Sequence, residues 1–279
     1  ELTPQDIIGN AGTIENVRLW DHQPLLQTFA QIQEIRTYYD FINVDNDRYT
    51  IDGKYRQVML SARELNPESI QNRSWVNERL TFTHGYGLTL GPVNQVTTQG
   101  LPVLYIRDLP PVSTVNLRVD QPSIYFGELS NSYVLVRTKQ PEFHYPRGDD
   151  NETTFYEGTG GVPIGGFLRK LLFAIKFANT DILVTNQLLP DSRILFHRRI
   201  ADRVRLLAPF LTFDSDPYPV VSNGQIFWIQ DAYTSTAHYP YSTPANCPGG
   251  PCNYIRNSVK IVIDAFNGNV AFYLAEPND

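Results

Sequence analysis

The chain has 279 residues, is 42% hydrophobic and carries a formal net charge of −6. That length can bury a sizeable core as one large domain or two small ones. The acidic balance, with an isoelectric point near 5.4, excludes generic nucleic-acid binding, which needs a basic surface. No stretch matches the roughly 20 apolar residues of a membrane-spanning helix, because the run from Leu171 to Ile175 stops at Lys176. The chain opens Glu1-Leu2-Thr3-Pro4, without an initiator Met or a secretory pattern, so we expect an excised or processed piece of a longer product.

The first expected helix runs from Pro24 to Tyr38. Leu25, Phe29, Ile32 and Tyr39 recur near helical spacing, Asp21 can cap the start, and Pro24 falls where a missing N–H costs little. Asp52-Gly53, between RYTI and KYRQVML, marks a two-residue hairpin, since both turn positions want positive φ. Strands are expected at Arg79–His84, around Val115–Val119 and at Tyr133–Thr138. Pro102, Pro110, Pro111, Pro122 and Pro141 leave no room for a long helix in this half. The polar GDDNE, Gly148 to Glu152, and the flexible EGTGG, Glu157 to Gly161, suggest a weak subdivision into 1–150 and 151–279. A second helix, Pro163–Ala178, is apolar nearly all round and is expected to be buried. A short strand, Ile182–Thr185, should precede a third helix, Asp191–Leu207, with a core stripe of Phe196, Ile200, Val204 and Leu207. Two Asn-Gly hairpins follow, at Asn223-Gly224 and Asn267-Gly268. A faint echo links Trp228–Thr234 (WIQDAYT) with Ile261–Asn267 (IVIDAFN). Helices and strands are segregated, so the expected class is α+β, with mostly antiparallel or mixed sheets and about three main helices.

Candidate chemistry is sparse. Asp45, Asp47 and Asp52 are weak metal candidates. Asp45-Asn46-Asp47 resembles the start of a calcium loop but lacks its glycine and terminal Glu, and Asp214-Ser-Asp216 is equally incomplete. Turn capping and pairing with Arg48 or Arg56 explain the first cluster as well. His84, in THGYG, can serve as a general base or sit satisfied in the core; Glu128 and Glu142 are carboxylates that sequence cannot pair in space. None of the five His falls in HExxH spacing, and no GxSxG elbow occurs. Gly158–Gly166 (GTGGVPIGG) enters a helix and admits an anion site there, but lacks the lysine and spacing of a phosphate loop. Arg193, Arg198, Arg199 and Arg203 form a local basic face on the third helix, read either as a solvated face or as a surface for an anionic lipid, envelope polymer or protein partner. Two cysteines, Cys247 and Cys252 in CPGGPC, are too few for a zinc site. They form a local disulfide under oxidising conditions or remain two free thiols; we expect the disulfide, pinning a loop tip.

The segments RLWD (Arg18–Asp21), QEIRTYYDF (Gln33–Phe41), DRYTIDGKYRQVMLSARELN (Asp47–Asn66) and THGYG resemble those of uncharacterised protein family 0182. So do GGVPIGGFLRKL (Gly160–Leu171), SRILFHRRI (Ser192–Ile200), WIQDAYT and NYIRNSVK (Asn253–Lys260). The likeness covers nearly the whole chain. The family comprises bacterial multi-pass membrane proteins, so the resemblance implies membrane-spanning helices before this segment and a large domain outside the cytoplasm, at the cell membrane. CPGGPC lies outside the family pattern. No established reaction transfers with the resemblance.

Two functions remain open from sequence. One is an extracytoplasmic binding or assembly module, without a required cofactor. The other is a cell-envelope hydrolase using His84 with a nearby carboxylate. A flat Tyr- and Arg-lined surface would mark the first, convergent His and carboxylate in a deep cleft the second.

Overall fold

Strand Lys54–Leu65 organises the first half. From Val58 onward every residue on it is buried. Alternating side chains therefore need apolar cover on both faces. On one face Val58, Leu60 and Ala62 join the main core. On the other, Met59 packs with Leu25 and Phe29 of a helix. The computed structural model describes residues 3–33, 35–148, 150–247, 249–276 and 278. Glu34 within the first expected helix, Asp149 of GDDNE and Pro248 of CPGGPC lie outside the described residues.

Among the described residues the α-helices are α1 (Pro4–Gly9), α2 (Ala11–Ile14), α3 (His22–Gln33), α4 (Phe167–Lys176), α5 (Asp181–Val184) and α6 (Ile200–Leu207). Strand accounts for 39% and helix for 20%, with antiparallel pairing throughout the main sheets. The class is α+β. A six-stranded sheet is built around Lys54–Leu65 and Leu88–Pro92, and a five-stranded sheet around Gln225–Thr236 and Tyr254–Asp264. A three-stranded sheet joins Val162–Pro163, Leu188–Leu195 and Val134–Thr138. The main core takes Leu60 and Leu88 from the first half and Ile200, Trp228 and Ile261 from the second. The apolar interior does not part near residue 150.

The local turn chemistry holds. Asp52 and Gly53 both adopt positive φ (49° and 78°) and join Asp45–Ile51 to Lys54–Leu65. Asn223 and Gly224 do the same (50° and 76°) between Tyr218–Ser222 and Gln225–Thr236. The third hairpin pairs Tyr254–Asp264 with Val270–Leu274, but through a longer turn in which Asp264 accepts from the N–H of Phe266 and Asn267. The two echo segments lie on neighbouring strands. Their Asp residues differ in use: Asp231 binds the Lys260 ammonium at 2.6 Å, while Asp264 caps the turn.

Several expected elements change. Asp191–Leu195 belongs to a strand, and the third helix is confined to Ile200–Leu207. Pro190 has no N–H, Ile194 and Leu195 pair with Val134–Thr138, and His197 adopts a φ of 48°, which breaks helical geometry before α6 begins. Ile182–Thr185 is not a strand: α5 occupies Asp181–Val184. Arg79–His84 is not a strand either, because Asn77–Thr81 forms one π-helical turn that buries Leu80. Val115, Leu117 and Val119 do point inward in alternation with Thr114, Asn116 and Arg118, but in bends and irregular chain outside any named strand. The second helix is shorter than expected and is not buried. Of α4, only Ala174 is fully covered. An all-round apolar pattern cannot distinguish a core helix from one whose outer face has no cover.

Candidate functional site

The cleft that gathers the most chemistry lies where the start of α3, residues 42–46 and residues 216–218 meet. It encloses about 550 Å³ and is lined by His22, Leu26, Asn43, Asp45, Asp216 and Tyr218, among others. That is the size and mixed polarity of a small-molecule pocket. Ile42, Asn43 and Asp45 also line a narrow recess behind it, which reaches Glu64, Glu128 and Trp228. Asp45 therefore stands at the junction.

Each wall has a local cause. Asp45 opens strand Asp45–Ile51 opposite Leu60, which carries its side chain toward the interior. Asp216 is held by a tight turn: its N–H donates to Asp214 Oδ1 at 3.1 Å, and Asp214 in turn accepts from the Tyr233 hydroxyl at 2.8 Å. Asn43 Nδ2 donates to Asp216 Oδ1 at 3.0 Å, tying the two walls together. At the rim the Arg18 guanidinium lies 3.2 Å from His22 Nδ1 and the Asn46 amide nitrogen 2.8 Å from Nε2; both are donors, so a neutral ring accepts from one of them only. At the back Glu64 accepts the N–H groups of Glu128 and Leu129, at 2.8 and 3.0 Å. Gly127 permits this approach, since a Cβ there would lie 2.1 Å from Glu64 Oε2.

Asp45 is 8% exposed, and its carboxylate has neither a hydrogen-bond donor nor a salt-bridge partner among the described residues. Burial, with Asp216 nearby, pushes its pKa up to about 7. Burial, then Glu64, Asp45 and Asp216, pushes Glu128 up to about 8, with Arg199 opposing. Burial raises Glu64 to about 7 against its two N–H donors and Arg198. Carboxylates that repel one another in a low-dielectric cleft keep their protons to higher pH than usual.

A second constellation contains His84. Its side chain and that of Glu142 are 0% and 1% exposed. Glu142 gathers the hydroxyls of Thr83 and Tyr125 (2.8 Å) on Oε2 and the Tyr156 N–H (2.9 Å) on Oε1. With Thr83 donating to Glu142, His84 Nδ1–H donates to Thr83 (2.8 Å), and His84 Nε2 accepts from His144 Nδ1 (3.3 Å). Burial and His84 lower His144 to about 4, keeping it neutral. The carboxylate beside His84 is thus Glu142, not Glu128. The pairing is present, but both side chains are sealed from solvent.

The remaining expected site residues are placed as follows. Asp47 accepts from the Arg48 N–H at 2.8 Å. Asp52 sits in the exposed hairpin turn, seven positions beyond Asp45 along an extended strand, or roughly 20 Å. The three acids of the first cluster do not converge; instead Asp45 meets Asp216 of the second. Arg193 is on a strand and donates to the carbonyls of Thr159, Gly160 and Gly161 (2.9, 2.6 and 2.8 Å). Those bonds fasten the glycine-rich loop before α4. Arg198 is buried and donates to the Thr83 and Tyr125 carbonyls. Arg203 donates to the Gly268 carbonyl at 2.8 Å and stacks on Phe126 at 4.9 Å. Arg199 alone of the four is exposed, at the start of α6. Cys247 and Cys252 are disulfide-bonded across the hairpin Ala245–Cys247 and Gly250–Cys252. Of the cleft residues, His22 and Glu64 were not singled out as site candidates from sequence, and Asp216 entered only through the incomplete Asp214-Ser-Asp216 motif. The one available signal was the pair of incomplete Asp-x-Asp motifs.

A profile of the uncharacterised protein family UPF0182 matches residues 1–279. A UPF0182 protein of Pelobacter propionicus is 53% identical over 280 residues, covering 100% of this chain and 31% of its own length. One from Geotalea uraniireducens is 52% identical and one from Geobacter sulfurreducens 51%, with the same coverage of both chains. The chain thus spans about a third of the length of these curated relatives. No solved structure matches it. At this identity and coverage the chain belongs to the uncharacterised protein family UPF0182.

Proposed function

We propose that this chain is a ligand-binding domain of a larger, membrane-embedded protein, and that its acidic cleft receives a positively charged ligand. The observation that carries the reading is Asp45: a carboxylate 8% exposed, without a partner among the described residues, at the junction of the cleft and the recess. A largely buried charge without a protein partner is destabilising unless it is neutralised, paired or hydrated from the cleft. Proton uptake does so below about pH 7; a bound cation does so above it. Among the described residues no group of three or more His, Cys, Asp or Glu is placed to hold a metal ion. Calcium wants six to eight convergent oxygens. A spread of carboxylates beside Leu26 and Tyr218 suits an organic amine better than a bare ion.

Position outside the cytoplasm is part of the same proposal. It is supported by the membrane-spanning helices that the resemblance implies and by a disulfide, which persists in oxidising compartments. No helix among the described residues is long and apolar enough to cross a membrane; the proposed spans belong to the rest of the longer protein. A full-length product without hydrophobic spans removes that part. The hydrolase alternative has its His–carboxylate pair in His84 and Glu142 but no route for a substrate to reach it, so binding is the better-supported reading.

Calorimetric titration tests the cleft. Spermidine and calcium chloride are titrated separately at pH 8.5 into the parent and Asp45→Asn. Spermidine heat in the parent, weakened at least about tenfold in the variant (roughly 1.4 kcal/mol), is expected. Calcium binding tighter than spermidine replaces the amine by a metal, and no heat from either removes the reading.

A further inference from the structure

The outward face of α4 is apolar and uncovered. Phe167, Leu168, Leu172 and Ile175 are 75%, 66%, 57% and 69% exposed. Leu168, Leu172 and Ile175 follow i, i+4, i+7 spacing, so they form one stripe. The opposite side anchors the helix: Ala174 is buried, and Phe173 and Phe177 pack on Phe196 with ring centroids 5.5 and 6.2 Å apart. Substituting the stripe therefore leaves the anchoring contacts in place.

The apolar surface continues beyond the helix. Val184 of α5 is exposed. A cavity of about 260 Å³ lined by Phe196, Arg203, Leu206 and Leu207 leads from the α4 anchor to α6. A second, of about 410 Å³, runs on from Leu207 past Phe210 to Leu274. Leu206, Leu207, Phe210 and Leu274 are all exposed. A tract of this extent exceeds the scattered surface apolar residues of ordinary domains and marks an interaction surface.

Its charge selects the partner. α4 carries Arg169, Lys170 and Lys176 and no acidic residue, in a chain of net charge −6. On α6 the exposed Arg205 is offset by the exposed Asp202, so the basic character of the tract comes from α4. Phe and Leu on one side with Lys and Arg beside them is the pattern of a helix that lies in a membrane interface, its apolar side sunk among acyl chains and its basic groups at anionic headgroups. We propose that α4, continued by Leu206, Leu207 and Phe210, seats this domain on an anionic bilayer surface. The seat is separate from the acidic cleft and does not depend on it.

The test is co-sedimentation of the chain with vesicles of phosphatidylcholine alone and of phosphatidylcholine with phosphatidylglycerol. Emission of a Phe167→Trp variant is read beside the parent as background. Binding to the anionic vesicles, at least about tenfold weaker in Leu172→Ser/Ile175→Ser and reduced by 0.5 M salt because exposed charges are screened, is expected. A blue shift of the Phe167→Trp emission with anionic vesicles only is the matching optical sign. Asp45→Asn should bind like the parent, which keeps this result apart from the cleft. Thermal melts of the double variant confirm that it is folded. No binding at low salt, binding untouched by the double substitution, or a lipid-free dimer that the double substitution abolishes would each overturn the proposal.

Discussion

The acidic cleft and the His84 network are both buried polar clusters built around carboxylates, yet they are organised oppositely. Around Glu142 every donor has an acceptor: Thr83, Tyr125 and the Tyr156 N–H converge on it, and the two His rings continue the chain. Around Asp45 the carboxylates face one another and a cavity. A fully satisfied buried network rigidifies a core, whereas a partly satisfied one leaves polar groups without partners at a cost in free energy. Residue type alone would have ranked the two the other way, since His beside a carboxylate looks catalytic and Asp in a strand looks structural.

Removing the hub of each cluster separates them most. Glu142→Ala should destabilise the domain by about 3–5 kcal/mol, because it strands several buried donors. Chemical denaturation checks this, and a change under about 1 kcal/mol would place Glu142 outside the structural network. Asp45→Asn should act with the opposite sign, stabilising the ligand-free domain by about 4 kcal/mol at pH 8.5, the full cost of a pKa raised from 3.8 to about 7, and changing it little near pH 4.

The two clusters also part with pH. Asp45 and Glu128 have folded-state pKa values raised to about 7 and about 8. Their contribution to stability is complete below the unfolded carboxylate pKa near 4 and is lost as pH rises through 7 to 8. His144, lowered to about 4, has the reverse sign: its contribution is present above about 6.5 and is lost as pH falls toward 4. Melting curves across pH 4–9 should show Asp45→Asn diverging from the parent on the alkaline side. His144→Gln should diverge only on the acid side, by about 1–2 kcal/mol after allowance for its partial exposure. Divergence of both variants in the same window would merge the two regions into one coupled system.

The smallest effect is expected far from both. Reduction of Cys247–Cys252, or Cys247→Ser, should cost at most about 2 kcal/mol, because the loop it closes is short. Mass spectrometry of unreduced, alkylated protein made under oxidising conditions checks the bond itself; full labelling of both thiols rejects it. A loss comparable with that of Glu142→Ala would make the hairpin a main support of the fold.

What could be read from the chain was local. Asp52-Gly53 and Asn223-Gly224 specify their hairpins because the positive φ they adopt is a property of two adjacent residues. Leu25 and Phe29 specify α3 because one helical face is buried against one sheet, but the rest of the expected stripe does not: α3 ends at Gln33, Ile32 is exposed and Tyr39 opens a strand. Long runs such as QEIRTYYDF suffice for the family. Where local preference was ambiguous, packing decided. Asp191–Leu195 became a strand because Val134–Thr138 offered a ladder, and α4 kept its apolar stripe exposed because no described element was folded over it. The site was beyond sequence for a related reason. Glu142 reaches Thr83 across 59 positions and Asn43 reaches Asp216 across 173. No periodicity encodes which carboxylate will be surrounded by donors and which by other carboxylates. That depends on the path of the intervening chain, and the path is set by the summed burial of the whole core.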